Sequence, residues 1–570
     1  MNSRQMKLYI PIAAALVLLT GTAVYYRLSQ SSVSEGTGME VFPACGPVNT
    51  GSTGLRSDGR YITPLPGWGD YSFPISTDSD SAQYFFDQGL SLYYGYHFKE
   101  ALASFKEAGR LDPESAMAYW GQALAMGPYY NAAHTYTQPA DIGKVLKKMD
   151  QNASGASAFE KQLIGAMRQR YSSDADMSMR PGLNIAYAQA LKKLTSTNIE
   201  AKVLYIDAVM LMHAWDFWNA DGSAKEWTPE LITLCEEVIK EKPHHPGAHH
   251  YYIHLTEASG LPQRALESGK LLKVLMPGVP HMVHMSSHAY ERSGLYVQGA
   301  EVNNKADSNL VNFSQLAAHL NLNTYSSHYY AVQTYCALSG GMYEDALRYA
   351  ERCRNSVSPN ADANYDQYLF MMPVLVNVRM GKWQDILRDS AQIDPQWKYA
   401  VLISDFAKGM ASVNTGNIKN AQNYLKSLRS GLNDPILEVR RVPFNSPVQI
   451  ARIADKILEG VILYADKKPE KALALLEEAV QFENQLIYTE PKDWPLPSRQ
   501  YLGAYLLHDG QPELAEKVFR EDLLKNPGNG WSLIGLSQSI KTEEASKFRE
   551  EARQSFAAAE HIPESSVYMN

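Results

Sequence analysis

From about residue 79 almost to the C-terminus, the chain is built of helix formers interrupted at short intervals by Gly and Pro, and strand-like alternation is scarce. Small and bulky positions repeat within this stretch. In "FFDQGLSLYYGYHFKEALASFKEAGRLDP", Gly89 precedes Ala101 by twelve positions, Phe105 follows four later, Ala108 three after that, and Pro113 closes the unit. The same skeleton returns as Gly503, Ala515, Phe519 and Pro527, again as Gly460, Ala472, Leu476 and Ala479, and more faintly as Gly409, Ala421 and Leu425. Small residues let two helices cross closely, the bulky one fills the space beside them, and proline stops the hairpin.

Recurrence in phase predicts an all-α chain, a helical-hairpin solenoid of the tetratricopeptide (TPR) kind in which stacked pairs form a superhelix. The composition divides it into a helical array over 79–240, central hairpins over 241–355 and a second array over 356–570. Ahead of these, residues 31–78 are rich in Ser, Gly, Thr and Pro and read as a flexible tether. Residues 1–30 read as a signal anchor or signal peptide: Arg4 and Lys7 precede an apolar run from Leu8 to Tyr26, about the length of a membrane-spanning helix. Positive charge ahead of that run places the remainder outside the cytoplasm, facing the periplasm or the cell exterior. Membrane contact is expected through this segment alone.

The net charge of −8 and the lack of a Lys/Arg block give no reason to expect a nucleic-acid partner. Four scattered cysteines form neither a disulfide framework nor a C-x-x-C pair, and buried free thiols are the simpler reading of Cys336 and Cys353.

The chemistry sits in two segments. "HHPGAHHYYIHLTEASG" begins at His244, and "PHMVHMSSHAYERSG" begins at Pro280. Each opens a first helix of a hairpin, the former started by Pro246 at a favoured first-turn position. On that helix His250, His254 and Glu257 fall at i, i+4 and i+7, on one face, with Tyr251 and Leu255 on the other. On the next, His281, His284 and His288 fall at i, i+3 and i+7. First helices of such arrays line the concave groove about 10 Å apart, so these faces can converge. Imidazoles at i and i+4 with a carboxylate in phase are a ligand set for a divalent transition metal such as Zn, Cu or Fe. The plain alternative is a polar groove or packing network. Asp216, Trp215 and Trp218 in "HAWDFWNADG", and His328 opening another first helix, are candidates for orienting a ligand or touching a substrate. His244, His245 and His249 fall off the shared face and read as structural.

Together "GLSLYYGYHFKEALASFKEAGRLDPESAMAYWGQALAMGP", "WDFWNADG", "HPGAHHYYIHLTEAS", "PHMVHMSSHAYERSG" and "NPGNGWSLIGL" resemble a family of long bacterial TPR proteins with paired His-rich segments, in patches from about residue 80 to 540. His245, His250, His254, His281, His284, His288 and Asp216 fall on the family pattern. His97, His249 and Ser286 depart from it, none of them a ligand candidate. The resemblance implies the fold and the ligand candidates, and no activity. Two functions follow. One is an extracytoplasmic binding scaffold that takes a protein or peptide partner in a concave groove carrying a metal site. The other is a metal-dependent enzyme, oxidoreductase or hydrolase, with a small substrate at the ion.

Overall fold

The computed structural model describes residues 54–132, 135–172, 177–439 and 445–569. The signal-anchor segment, the first part of the tether, Cys45 and His134 lie outside them. Among the described residues no helix is long and apolar enough to cross a membrane.

Helix follows helix along the described chain, and the single β-bridge among these residues joins Trp218 to Ala224. Each helix packs chiefly on its neighbours in sequence, which is how a solenoid of hairpins is held together. The small-and-bulky skeleton is the reason the hairpins close. A Cβ on Gly89 would come within 2.8 Å of the Phe105 ring, and one on Gly121 within 2.3 Å, so that ring is clamped between two glycines of flanking helices. Phe519 is clamped in the same way, with a Cβ on Gly503 at 2.5 Å and on Gly535 at 2.2 Å. Ala101, Ala108, Ala421, Ala472 and Ala515 are fully buried at the matching crossings.

The site draws on seven helices: α1 (Asp80–Tyr94), α2 (Phe98–Leu111), α3 (Pro246–Thr256), α4 (Leu266–Leu275), α5 (Pro280–Arg292), α6 (Tyr296–Leu316) and α7 (Ser327–Ser339). α3 and α5 open as predicted, with Pro246 and Pro280 in their first turns. Gly269 of α4 brings that helix against Ala289 of α5, and Gly299 of α6 seats the Cys336 thiol of α7. Cys235, Cys336 and Cys353 are buried free thiols, in line with the simpler reading.

One departure from the sequence reading matters. Residues 54–79 have no helix, as their composition suggests, but from Tyr61 onward they are no free tether. Ile62, Leu65, Trp68 and Ile75 are buried, and backbone groups here bond to Gln88, Asp87, Glu160 and Gly278. Apolar residues spaced among the turn formers hold the strand-less segment onto the core. The apolar interior falls into two main cores, one running from Ile62 to Leu320 and the other from Ala300 to Val567, which overlap along α6.

The superhelix also returns on itself. Trp531 Nε1 donates to Leu338 O at 3.0 Å, Tyr296 Oη to Pro527 O at 3.2 Å, and Arg292 to Lys525 O at 3.1 Å. Segments from the C-terminal hairpins therefore cover the face of α5 and α7 that a short array would leave open.

Candidate metal centre

The histidine faces converge, and they do so in the interior. His250, His281, His284 and His288 have no exposed surface, His254 has 2% and His328 5%. The open groove expected from the array is closed here, because the returning C-terminal segment and the turn between α1 and α2 lie over it. Glu490, in an irregular stretch more than two hundred residues downstream, meets His254 Nδ1 at 3.5 Å. Tyr96, in the α1–α2 turn with φ of +58°, stacks on His281 and His254 and stands edge-on to His250 at 4.5 Å. A tyrosine held in the left-handed region is a strained backbone that its surroundings must enforce.

The grouping crosses the helices instead of following them. His250 and His254 of α3 gather with His281 of α5; His284 and His288 of α5 gather with His328 of α7. His250 Nε2 lies 3.1 Å from His254 Nε2 and 3.0 Å from His281 Nε2, and His288 Nε2 lies 3.0 Å from His284 Nε2. His328 stands 4.8 Å, ring to ring, from His284. Expected from the sequence to orient a ligand or touch a substrate, His328 completes the second set.

What surrounds each ring fixes its proton. His250 Nδ1–H donates to Tyr94 O at 2.6 Å. His254 Nδ1 lies 3.1 Å from Glu257 Oε1. Asn303 Nδ2 is committed to Gly299 O, which turns Asn303 Oδ1 to accept from His284 Nδ1–H at 2.6 Å. A neutral imidazole has one N–H, so His250 and His284 present a bare Nε2 lone pair inward. The His250 lone pair faces His254 Nε2 at 3.1 Å. Either an N–H on His254 Nε2 or a cation between the rings makes that contact attractive. A shared proton is opposed by burial and by the neighbouring His254, which hold the His250 pKa well below its usual value. A metal ion suits it, because ligating histidines donate their outer N–H to a carbonyl, carboxylate or amide, as His250 and His284 do.

Burial, then the adjoining rings, likewise push His281 and His284 well below the usual histidine range, and burial takes His288 to about 4. Glu257 is driven well above a normal carboxyl by burial first and by Glu490 second. Burial also acts to raise Glu490, but His254 and His288 prevail and hold it ionised. This acid pair links the two histidine sets. Glu257 Oε2 is 3.5 Å from His288 Nδ1, and Tyr488 Oη donates to it at 3.4 Å.

The other candidates separate. Asp216, expected as a ligand or its orienter, instead pairs with Lys225 at 3.1 Å and is 42% exposed, the loop after the 199–212 helix carrying it outward. Trp218 Nε1 donates to Leu255 O at 2.8 Å and braces the end of α3. Trp215 packs on Tyr130 at 4.4 Å, and Tyr130 lies 5.2 Å from His254, so Trp215 reaches the site through one intervening ring. His245 caps α3 by accepting from Ala248 N, and His249 bonds Ser268 and Pro243 O; both are structural. Sequence spacing gave no signal for Glu490, Asn303 or Tyr96, which come from an irregular segment, a second helix and a turn.

No family model matches the chain, and no curated protein sequence does. Several solved structures match weakly. A human IFIT1 dimer with m7Gppp-AAAA is 12% identical over 84% of this chain and 91% of that one, with a TM-score of 0.29. Yeast Tom70 is 12% identical over 83% of this chain and 96% of its own, with a TM-score of 0.29. The Cut9 and Hcn1 hetero-tetramer of the APC/C gives 13% identity over 84% and 78%, with a TM-score of 0.28. The hairpin array described above is the firmer basis for the fold.

Proposed function

We propose that this protein is a TPR-like interaction scaffold whose interior encloses a transition-metal centre made by His250, His254, His281, His284, His288 and His328 with Glu257 alongside. One observation carries the reading: six buried imidazoles converge as two triads, with His250 Nε2 within 3.1 Å of both the His254 and the His281 Nε2 while its outer nitrogen is engaged by Tyr94 O. Full burial favours an ion that stabilises the closed array or exchanges electrons, over one that hydrolyses a bulky substrate. The outer surface of the solenoid remains for a protein or peptide partner.

Elemental analysis of untagged protein tests the metal. Stoichiometric Zn, Cu or Fe in the wild type, absent from a folded His254→Ala/His284→Ala double variant, is the expected result. Metal-free wild-type protein that cannot be loaded with any of the three removes the reading. Export is part of the proposal and rests on the charged lead and apolar run of residues 1–30. A phosphatase that works only outside the cytoplasm, fused after residue 78, is expected to be active; an inactive fusion that is made in full refutes it.

A further inference from the structure

We propose that the six histidines form two separate three-imidazole sites holding a pair of metal ions, one on His250, His254 and His281 and the other on His284, His288 and His328. This rests on the metal reading above and adds the number of ions and the division of ligands between them.

The ligand atoms themselves argue for two. Among the described residues, those that lie mutually close fall into threes: each histidine belongs to one histidine triad, and a third set, His254 with Glu257 and Glu490, shares His254 with the first. Four-coordinate ions with metal–nitrogen bonds of about 2.0–2.1 Å place their ligand nitrogens about 3.3 Å apart. The Nε2 pairs at 3.0 and 3.1 Å sit near that spacing without rearrangement. Ring centres alone do not divide the sets, His254 and His281 of one triad standing 6.3 Å apart and His281 and His284 of different triads 5.8 Å apart; the ligand atoms do, since those of each triad all lie within 4.8 Å of one another. Among the described residues no such group mixes histidines of the two sets, so an ion held by three imidazoles takes one triad and leaves the other for a second. Three neutral nitrogens per ion also leave room for a further ligand, the arrangement of an open site.

The carboxylates sit where a pair of ions would want them. Glu257 reaches His254 through one oxygen and approaches His288 at 3.5 Å through the other. Glu490 approaches the same two rings, at 3.5 Å and 3.9 Å. Each acid therefore touches one histidine of each triad, and the negative charge lies between the two sets. With Glu490 ionised and Glu257 held neutral, two monovalent copper ions leave an excess charge of one, while two divalent ions leave three in a fully buried place, which is costly. Cu(I) is accordingly the probe to use.

Chelator-stripped full-length protein, titrated anaerobically with Cu(I) against a chromophoric competitor, counts the ions. Two equivalents are expected in the wild type, one in His250→Gln, one in His328→Gln and none in the double variant. Circular dichroism and melting confirm that each variant is folded, and X-ray absorption of the loaded wild type, with about three nitrogens per copper, serves if a variant does not fold. One equivalent in the wild type, or two that vanish together in either single variant, overturns the paired site while leaving a metal centre. Absence of any uptake, in protein that also carries no metal as isolated, overturns the metal reading itself.

Discussion

At the scale of the residue, the decisive feature is which nitrogen of each ring carries its hydrogen. Asn303 illustrates how little of that is visible along the chain: it lies on α6, nineteen positions after His284, and its carboxamide is turned by a bond to Gly299 O so that its oxygen meets His284 Nδ1. Removing that acceptor frees the ring to flip or to carry its proton on Nε2, where it blocks the metal. Asn303→Ala is therefore expected to weaken Cu(I) binding at the second triad about 10–100-fold, the usual cost of losing an outer partner. The first triad should be unaffected, so competition titration will show one tight and one weakened equivalent. Asn303→Asp keeps an acceptor and is expected to restore binding. Equal weakening of both equivalents would mean that Asn303 acts through the packing of α6 and not through the ring.

At the scale of the element, the array depends on glycines whose only role is to be small. Gly121 and Gly89 clamp Phe105 from two helices, and a methyl on Gly121 would sit 2.3 Å from the ring. Phe105 is fully buried and cannot retreat, so Gly121→Ala is expected to cost about 1–3 kcal/mol, the range for overpacking a filled core. Gly165 is the control. It lies inside the Ala158–Gln169 helix with nothing within 4 Å of where its Cβ would be, so Gly165→Ala removes backbone freedom at no steric cost and stabilises by about 0.5–1 kcal/mol. Urea midpoints for the two variants should move in opposite directions. A fall for both would show that the 158–169 helix is packed more tightly than its geometry indicates.

At the scale of the whole molecule, legibility followed distance along the chain. The hairpins were readable because Gly89, Phe105 and Pro113 lie within one repeat, and α3 and α5 were readable because each carries its histidines at helical spacing. His328 was visible as a histidine on a first helix but not as a ligand, since its partners belong to α5. Glu490 gave no signal, because only the return of the superhelix brings residue 490 to residue 254. The closed interior was hidden for the same reason, and closure has a consequence for acid stability. His250, His281 and His284 are held neutral far below the usual pKa, and His288 down to about 4, by burial first. Once unfolded, these rings take up protons near pH 6.5, so below that value the unfolded chain binds more protons than the folded one. Their contribution to stability is full above pH 6.5 and is lost as pH falls toward 4. Glu257, raised well above its usual range, and Glu291, raised to about 7, act in the opposite sense, as do the less strongly raised Asp87, Asp207, Asp405 and Glu483, while His213 and His249 add to the four imidazoles. Metal-free protein is therefore expected to be less stable at pH 5 than at pH 7.5, each unopposed ring contributing a slope of about 1.4 kcal/mol per pH unit. In His281→Phe one ring is gone, and the slope of unfolding free energy against pH, from urea melts in the presence of chelator, should shrink by roughly one proton's worth. An unchanged slope would show that His281 is reached by solvent in the folded protein, which the closed interior forbids.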